Sequence, residues 1–339
     1  MTAILAEVIR GGAVESVHAG TIAVVATDGR LVAWAGDVER FAYFRSSAKP
    51  FQAIPVVESG AADAFGFTPA ELALCCASHH AERHHQREVA AMLAKLGLTE
   101  DALQCGIALP SDDEEAGRIL SGLVPPSPLQ CDCSGKHTGM LATCLHLGYP
   151  IDSYLEPEHP LQRMIRGIVA EVCRVPSEAL RLATDGCSVP TFGTSIRAFA
   201  TAYAVLAQPE RVPEDAGGRH QAALKRLRGA MTTHPENVAG TGALVTDLMA
   251  LSGGRIAAKS GAEGLICLAL PERGLGVAIR IADGSFRAHG VVVAAVLEQL
   301  DAVDPAVIVA AMARHSSEIR NHNGRHVGDL RAAFRLEMA

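Results

Sequence analysis

The chain has 339 residues, 49% hydrophobic and 20% charged, which is the balance of a globular protein with a large core and excludes a disordered chain. Its formal net charge is −7 and no Lys/Arg-rich run stands out, so nucleic acid is not an expected partner. Nine cysteines and a start, Met1–Gly11, without a basic-then-apolar leader predict reduced thiols and a cytoplasmic location, and no apolar stretch is long enough to cross a bilayer.

The first stretch reads as strands at Ile4–Arg10, Thr21–Thr27 and Leu31–Ala35, with Asp28-Gly29 as a hairpin turn. Ser46-Ser47 followed by Lys49-Pro50 predicts a helix start before the run Phe51–Glu58. Helices follow at Pro69–Cys76, Glu82–Leu96, Lys136–Leu147, Pro160–Val172, Thr194–Leu206, Ala216–Thr232 and Gly242–Leu251, and Pro125, Pro126 and Pro128 mark a loop. Arg255–Ser260, Leu265–Leu270 and Gly276–Ala282 read as an antiparallel meander. Helices at Arg287–Leu300 and Pro305–His315 and a last strand at His326–Phe334 complete the chain. The expected fold class is therefore α/β (α+β), with one antiparallel sheet from both chain ends and a helical block, about residues 68–252, in one domain spanning 1–339.

Two segments pair a serine with a lysine. In Ser46-Ser47-Ala48-Lys49, Ser46 and Lys49 share one helix face, so the amine can take the hydroxyl proton once its pKa is lowered. The same pattern also suits an N-cap serine and a solvated lysine. Lys259-Ser260-Gly261 falls on a late strand flanked by small residues, where a substrate can approach the backbone. An early Ser-x-x-Lys and a late Lys-[Ser/Thr]-Gly are the arrangement of serine β-lactamases and penicillin-binding proteins. A clear Ser-Asp-Asn element is missing from the middle. Cys131-Asp132-Cys133-Ser134-Gly135-Lys136-His137 opens a helix, and Asp185-Gly186-Cys187 is a second polar cysteine turn. Thiolates from two loops can hold zinc, although neither segment has Cys-x-x-Cys spacing and both also read as buried core thiols. His79, His80, His84 and His85 read as solvated or capping residues, and Cys75, Cys76, Cys105, Cys144, Cys173 and Cys267 as core.

Taken together, Phe44-Arg45-Ser46-Ser47-Ala48-Lys49-Pro50, Cys76-Ala77-Ser78-His79, Cys133-Ser134-Gly135-Lys136-His137-Thr138-Gly139-Met140, Asp185-Gly186-Cys187 and Lys259-Ser260-Gly261-Ala262-Glu263-Gly264 resemble the class 3, Rhizobium-type L-asparaginases of the asparaginase II family. The resemblance implies a serine-β-lactamase-like fold, a homodimer, and hydrolysis of L-asparagine to L-aspartate and ammonia. It implies two serine–lysine tandems, Ser46 with Lys49 and Ser78 with Lys259. It also implies a zinc site of Cys133, Lys136 and Cys187. His137 and Asp185 would then stand behind the ligands or touch substrate, and Gly261 would line the site. Arg45 would either keep Lys49 neutral or serve as an ion-pair partner. A β-lactam- or glutamine-directed hydrolase and a zinc-binding protein without turnover are the competing expectations.

Overall fold

The computed structural model describes residues 1–315 and 317–339. Twelve strands are assigned among them: β1 (Ala3–Arg10), β2 (Ala13–Ala26), β3 (Leu31–Ala35), β4 (Phe41–Tyr43), β5 (Arg181–Thr184), β6 (Pro190–Ser195), β7 (Ala257–Gly261), β8 (Leu265–Leu270), β9 (Leu275–Ile281), β10 (Glu318–Arg320), β11 (His326–Ala332) and β12 (Glu337–Met338). Nine form one antiparallel sheet in the order β10-β11-β1-β2-β9-β8-β7, with β3 pairing both β2 and β12. Both chain ends meet in it: Ala6 faces Ala332 across β1 and β11, and Ala23 faces Ala278 across β2 and β9. This is the expected architecture, a sheet from the two ends with helices between them in sequence.

The centre of the sheet is a buried layer. Every residue of β8 is buried, and successive side chains point to opposite faces, so both faces are covered. One cover is the helix Ile196–Ala207, which lies on β2, β8 and β9 and is buried at all positions but Arg197. Gly276 on β9 makes this approach possible, because a Cβ there would collide with the Ala200 carbonyl oxygen and the Ala204 nitrogen. Among the described residues, the buried apolar side chains form one cluster reaching from Leu5 to Leu330.

Several boundaries differ from expectation for visible reasons. β2 begins eight residues early, because Ala13–Val17 is solvent-exposed and shows no apolar alternation, yet pairs with β1. The helix expected from Thr194 begins at Ile196; the preceding residues form β6, and the Ser195 hydroxyl caps the helix through Ala198 N–H. β6 and β5 join β4 in a small second sheet that the sequence does not announce. The run Phe51–Glu58 becomes two short helices, Lys49–Gln52 and Ile54–Glu58, each with a proline in its first turn. An unexpected helix, Asp113–Leu120, is held by its Asp112 cap.

Replacing Gly276 by Ala should therefore lower unfolding stability by at least about 1–3 kcal/mol, the usual cost of overpacking, as read from a urea denaturation midpoint. An unchanged midpoint would show that the helix can move away from the sheet.

Candidate active site

Three separate parts of the chain deliver the reactive groups. The turn after β4 carries Arg45 and Ser46 into the helix that begins at Lys49. The helix Pro69–Cys75, started by a Thr68–Glu71 capping box, ends just before Ser78. Strand β7 contributes Lys259. Ser46, Ser78, Asp132, Gly261 and Ala262 line one cavity of about 650 Å³.

At its centre one hydroxyl holds two lysines. Lys49 Nζ donates to Ser78 Oγ at 2.7 Å, and Lys259 Nζ donates to the same oxygen at 2.9 Å. Both lysines are fully buried. The two expected tandems are thus one linked set: Lys49 bonds Ser78 rather than Ser46, and among the described residues the Ser46 side chain makes no hydrogen bond. The lysines differ in charge state. Burial and the neighbouring Lys49 charge lower Lys259 to about 7. Burial also works against the Lys49 charge, but the Cys133 thiolate and the Asp132 carboxylate outweigh it and hold Lys49 above its ordinary value. Asp132 Oδ2 lies 3.6 Å from Lys49 Nζ. Sequence reasoning passed over Asp132; its one signal is a carboxylate between two cysteines in a polar turn.

The surroundings fix this geometry. Ser47 Oγ donates to the Lys259 carbonyl at 3.1 Å, and Tyr203 OH donates to the Ser47 carbonyl at 2.9 Å. A Cβ on Gly261 would fall 2.9 Å from Ser47 Oγ, so glycine lets β7 lie against the Ser46 turn. Arg45 Nε donates to Asp185 Oδ1 at 2.6 Å, forming an ion pair. Arg45, Ala81, Ser188 and Glu263 all have positive φ without being glycine. Each sits in a loop carrying site residues, where backbone strain is commonly stored. The other two such residues, Arg174 and Asp301, follow helix ends.

The Cys-Ser-Gly-Lys-His block begins the helix Ser134–Leu147, and its side chains each have a structural reason. Ser134 Oγ pairs with His79 Nε2 at 2.8 Å, and Gly135 and Gly139 allow contact with Leu74 and Cys75. Lys136 Nζ donates to Cys187 Sγ at 2.9 Å. The neighbouring Cys131 and Cys187 thiols hold the Cys133 thiol well below the ordinary value against burial; Lys49 and Lys136 add to this. Burial opposes the Lys136 charge, but Cys187 and Cys133 keep it above the ordinary lysine value. Cys133, Lys136 and Cys187 therefore converge as a donor set suited to a borderline-soft cation, with Cys131 and Asp132 beside them. His137 does not reach the cavity wall. It is fully buried, its Nδ1 pairs with Tyr154 OH at 2.7 Å, and its Nε2 has no partner among the described residues.

The histidine group departs from expectation. His79 and His85 are buried, not solvated, and the helix Arg83–Lys95 has no side-chain cap. Among the described residues no helix is long and apolar enough to cross a membrane.

The chain is similar to the crystal structure of a β-lactamase from Mycobacterium bovis, at 14% identity and a TM-score of 0.37, over 88% of this chain and 95% of that one. It is also similar to Mglu in its native form, at 16% identity and a TM-score of 0.35, over 88% of this chain and 60% of that one. No curated protein matches at a significant level. The family described as L-asparaginase II matches residues 6–332, nearly the whole chain, and the protein belongs to that family of amidohydrolases.

Proposed function

We propose that the chain is a class 3 L-asparaginase, hydrolysing L-asparagine by acyl transfer to Ser46, with Ser78 relaying protons between Lys49 and Lys259. The observation carrying this reading is Ser78 Oγ, bonded at once to both buried lysines in the cavity that also receives Ser46. Acylating Ser78 would take its oxygen from both amines and strand buried charge, which is costly. Ser46 has a side chain free of such ties and a lysine one turn along its helix.

The proton path follows from the two lysine environments. Neutral Lys259 takes the Ser78 proton, Ser78 takes one from Lys49, and the Lys49 amine is then free to accept the Ser46 proton. Ser46 Oγ attacks the side-chain amide carbon. The backbone N–H groups of Ser46 and Ala262 donate to no protein acceptor among the described residues, and both residues line the cavity, so they suit the developing oxyanion. The proton returns through Ser78 to the amide nitrogen, ammonia leaves, and water hydrolyses the aspartyl ester along the same route. Asp132 stabilises the Lys49 charge between turnovers.

Cys133, Lys136 and Cys187 would hold zinc, which when bound would supply positive charge to orient the substrate's charged ends. Lys136 is held protonated by the thiols, so metal binding must displace protons and its affinity should rise with pH. A homodimer and a cytoplasmic location belong to the same proposal; gel filtration of the purified chain tests the first.

An ammonia-release assay on asparagine tests the reaction. Ser46→Ala should cost about 10⁴-fold or more in kcat with the fold intact. Mass spectrometry of enzyme trapped with a slow substrate should find the adduct on Ser46; an adduct on Ser78 alone would reverse the two roles. Because Lys259 must be neutral, kcat/KM should climb with pH through about 7, and a flat profile across that range would remove Lys259 from the path. Equal rates on glutamine, or turnover of nitrocefin, would move the substrate assignment. Cys187→Ala should lower zinc content and raise KM for asparagine with little change in thermal midpoint, whereas unfolding on chelation would mark the metal as structural.

A further inference from the structure

A second group of donor atoms lies where the chain leaves the Ser78–His80 segment, and it contains no sulfur. Glu82, His84 and His85 each bring one ligand-type atom within 4.8 Å of the others. His85 is completely buried, and its Nε2 lies 2.9 Å from the Glu236 carbonyl oxygen. A carbonyl can only accept, so that nitrogen carries the proton and Nδ1 presents a bare lone pair. Nδ1 is itself buried and has no partner among the described residues. A histidine tied through one nitrogen to a carbonyl, with the other unspent, is oriented as metal-ligating histidines are.

The neighbours repeat the pattern. His84 Nε2 is also buried without a partner, His84 Nδ1 lies 3.5 Å from Glu82 Oε2, and the two imidazole rings are 3.8 Å apart. A buried ring nitrogen left without a hydrogen-bond partner is costly. Unpartnered buried nitrogens also occur at His18, His137, His220 and His289, but among the described residues only His84 and His85 bring two such rings together beside a carboxylate, an arrangement that a shared cation would explain. Glu82 is pre-oriented from behind by Thr241, whose N–H donates at 2.6 Å and whose hydroxyl donates at 3.0 Å. Gly240 has φ +146, and a Cβ there would stand 2.7 Å from His80 Nδ1 and 2.8 Å from Glu82 Oε1, so glycine keeps this corner open.

We propose that Glu82, His84 and His85 form a second site for a divalent transition cation of the zinc class, separate from the thiol-lined donor set. Two imidazoles and one carboxylate leave a position for water. The wall of the active-site cavity includes His80, two residues before Glu82 in the chain. The second site stands independently of the reaction proposed above.

Cobalt(II) titration of the metal-free, full-length protein tests it, because thiolate ligation gives intense near-ultraviolet charge-transfer absorption and nitrogen–oxygen ligation does not. Wild type should bind cobalt in a component without thiolate charge transfer, and Cys133→Ser/Cys187→Ser should retain that component alone. Glu82→Gln and His84→Ala, both at partly exposed side chains, should weaken that component about tenfold or more while leaving any charge-transfer band unchanged. Circular dichroism confirms that each variant is folded; should none fold, the wild-type spectrum decides. Wild-type cobalt bound with thiolate charge transfer only, no cobalt bound at all, or folded Glu82 and His84 variants that bind as wild type does, would overturn the proposal.

Discussion

Two amines sharing one hydroxyl inside a buried layer are the constraint on which the rest of the molecule depends. A lone lysine in such a place would give up its proton, and a pair would repel. Here the repulsion is divided unequally. Asp132 and the Cys133 thiolate favour charge on both lysines, but they outweigh burial only at Lys49; at Lys259 burial and the Lys49 charge prevail. The asymmetry sets up a donor and an acceptor on either side of Ser78, the minimum a proton relay needs. The polar surroundings of Lys49 are built largely by one helix terminus, so the segment that places the thiols also tunes the lysine.

The sheet serves this arrangement by bringing distant parts of the chain to fixed heights. β7 presents Lys259 and Gly261 in register with the Ser46 turn, and the Ser47 and Tyr203 hydrogen bonds join turn, strand and central helix. The small β4-β6-β5 sheet does the same for Arg45 and Asp185, which follow β4 and β5, the two strands flanking β6, and meet as an ion pair. Strained loop residues are tolerated because the elements on both sides of them are rigid.

Much of this was legible in the sequence where the signal was local. The meander Arg255–Ala282 alternates, and the prolines and serines mark helix starts. Ser46, Lys49, Lys259, Cys133, Lys136 and Cys187 stand in compact motifs. What sequence could not supply was direction. Nothing in Ser-x-x-Lys says that the Lys49 amine turns from Ser46 to Ser78, which lies 29 residues on. Asp132 was visible but had no spacing rule to assign it, and β5 and β6 carry too little alternation to be read. The histidine group misled because four imidazoles in seven positions suggest a wet surface, while the tertiary fold encloses two of them.

The distance in sequence between Ser78 and Lys259, 181 residues, has a consequence during synthesis. Strand β7 belongs to a meander that joins β2 through β9, and the partner of β1 in the sheet is β11, near the end of the chain. Contacts this non-local form slowly. A nascent chain still on the ribosome holds one amine without the other, so the reactive centre stays unassembled until almost the entire polypeptide has emerged.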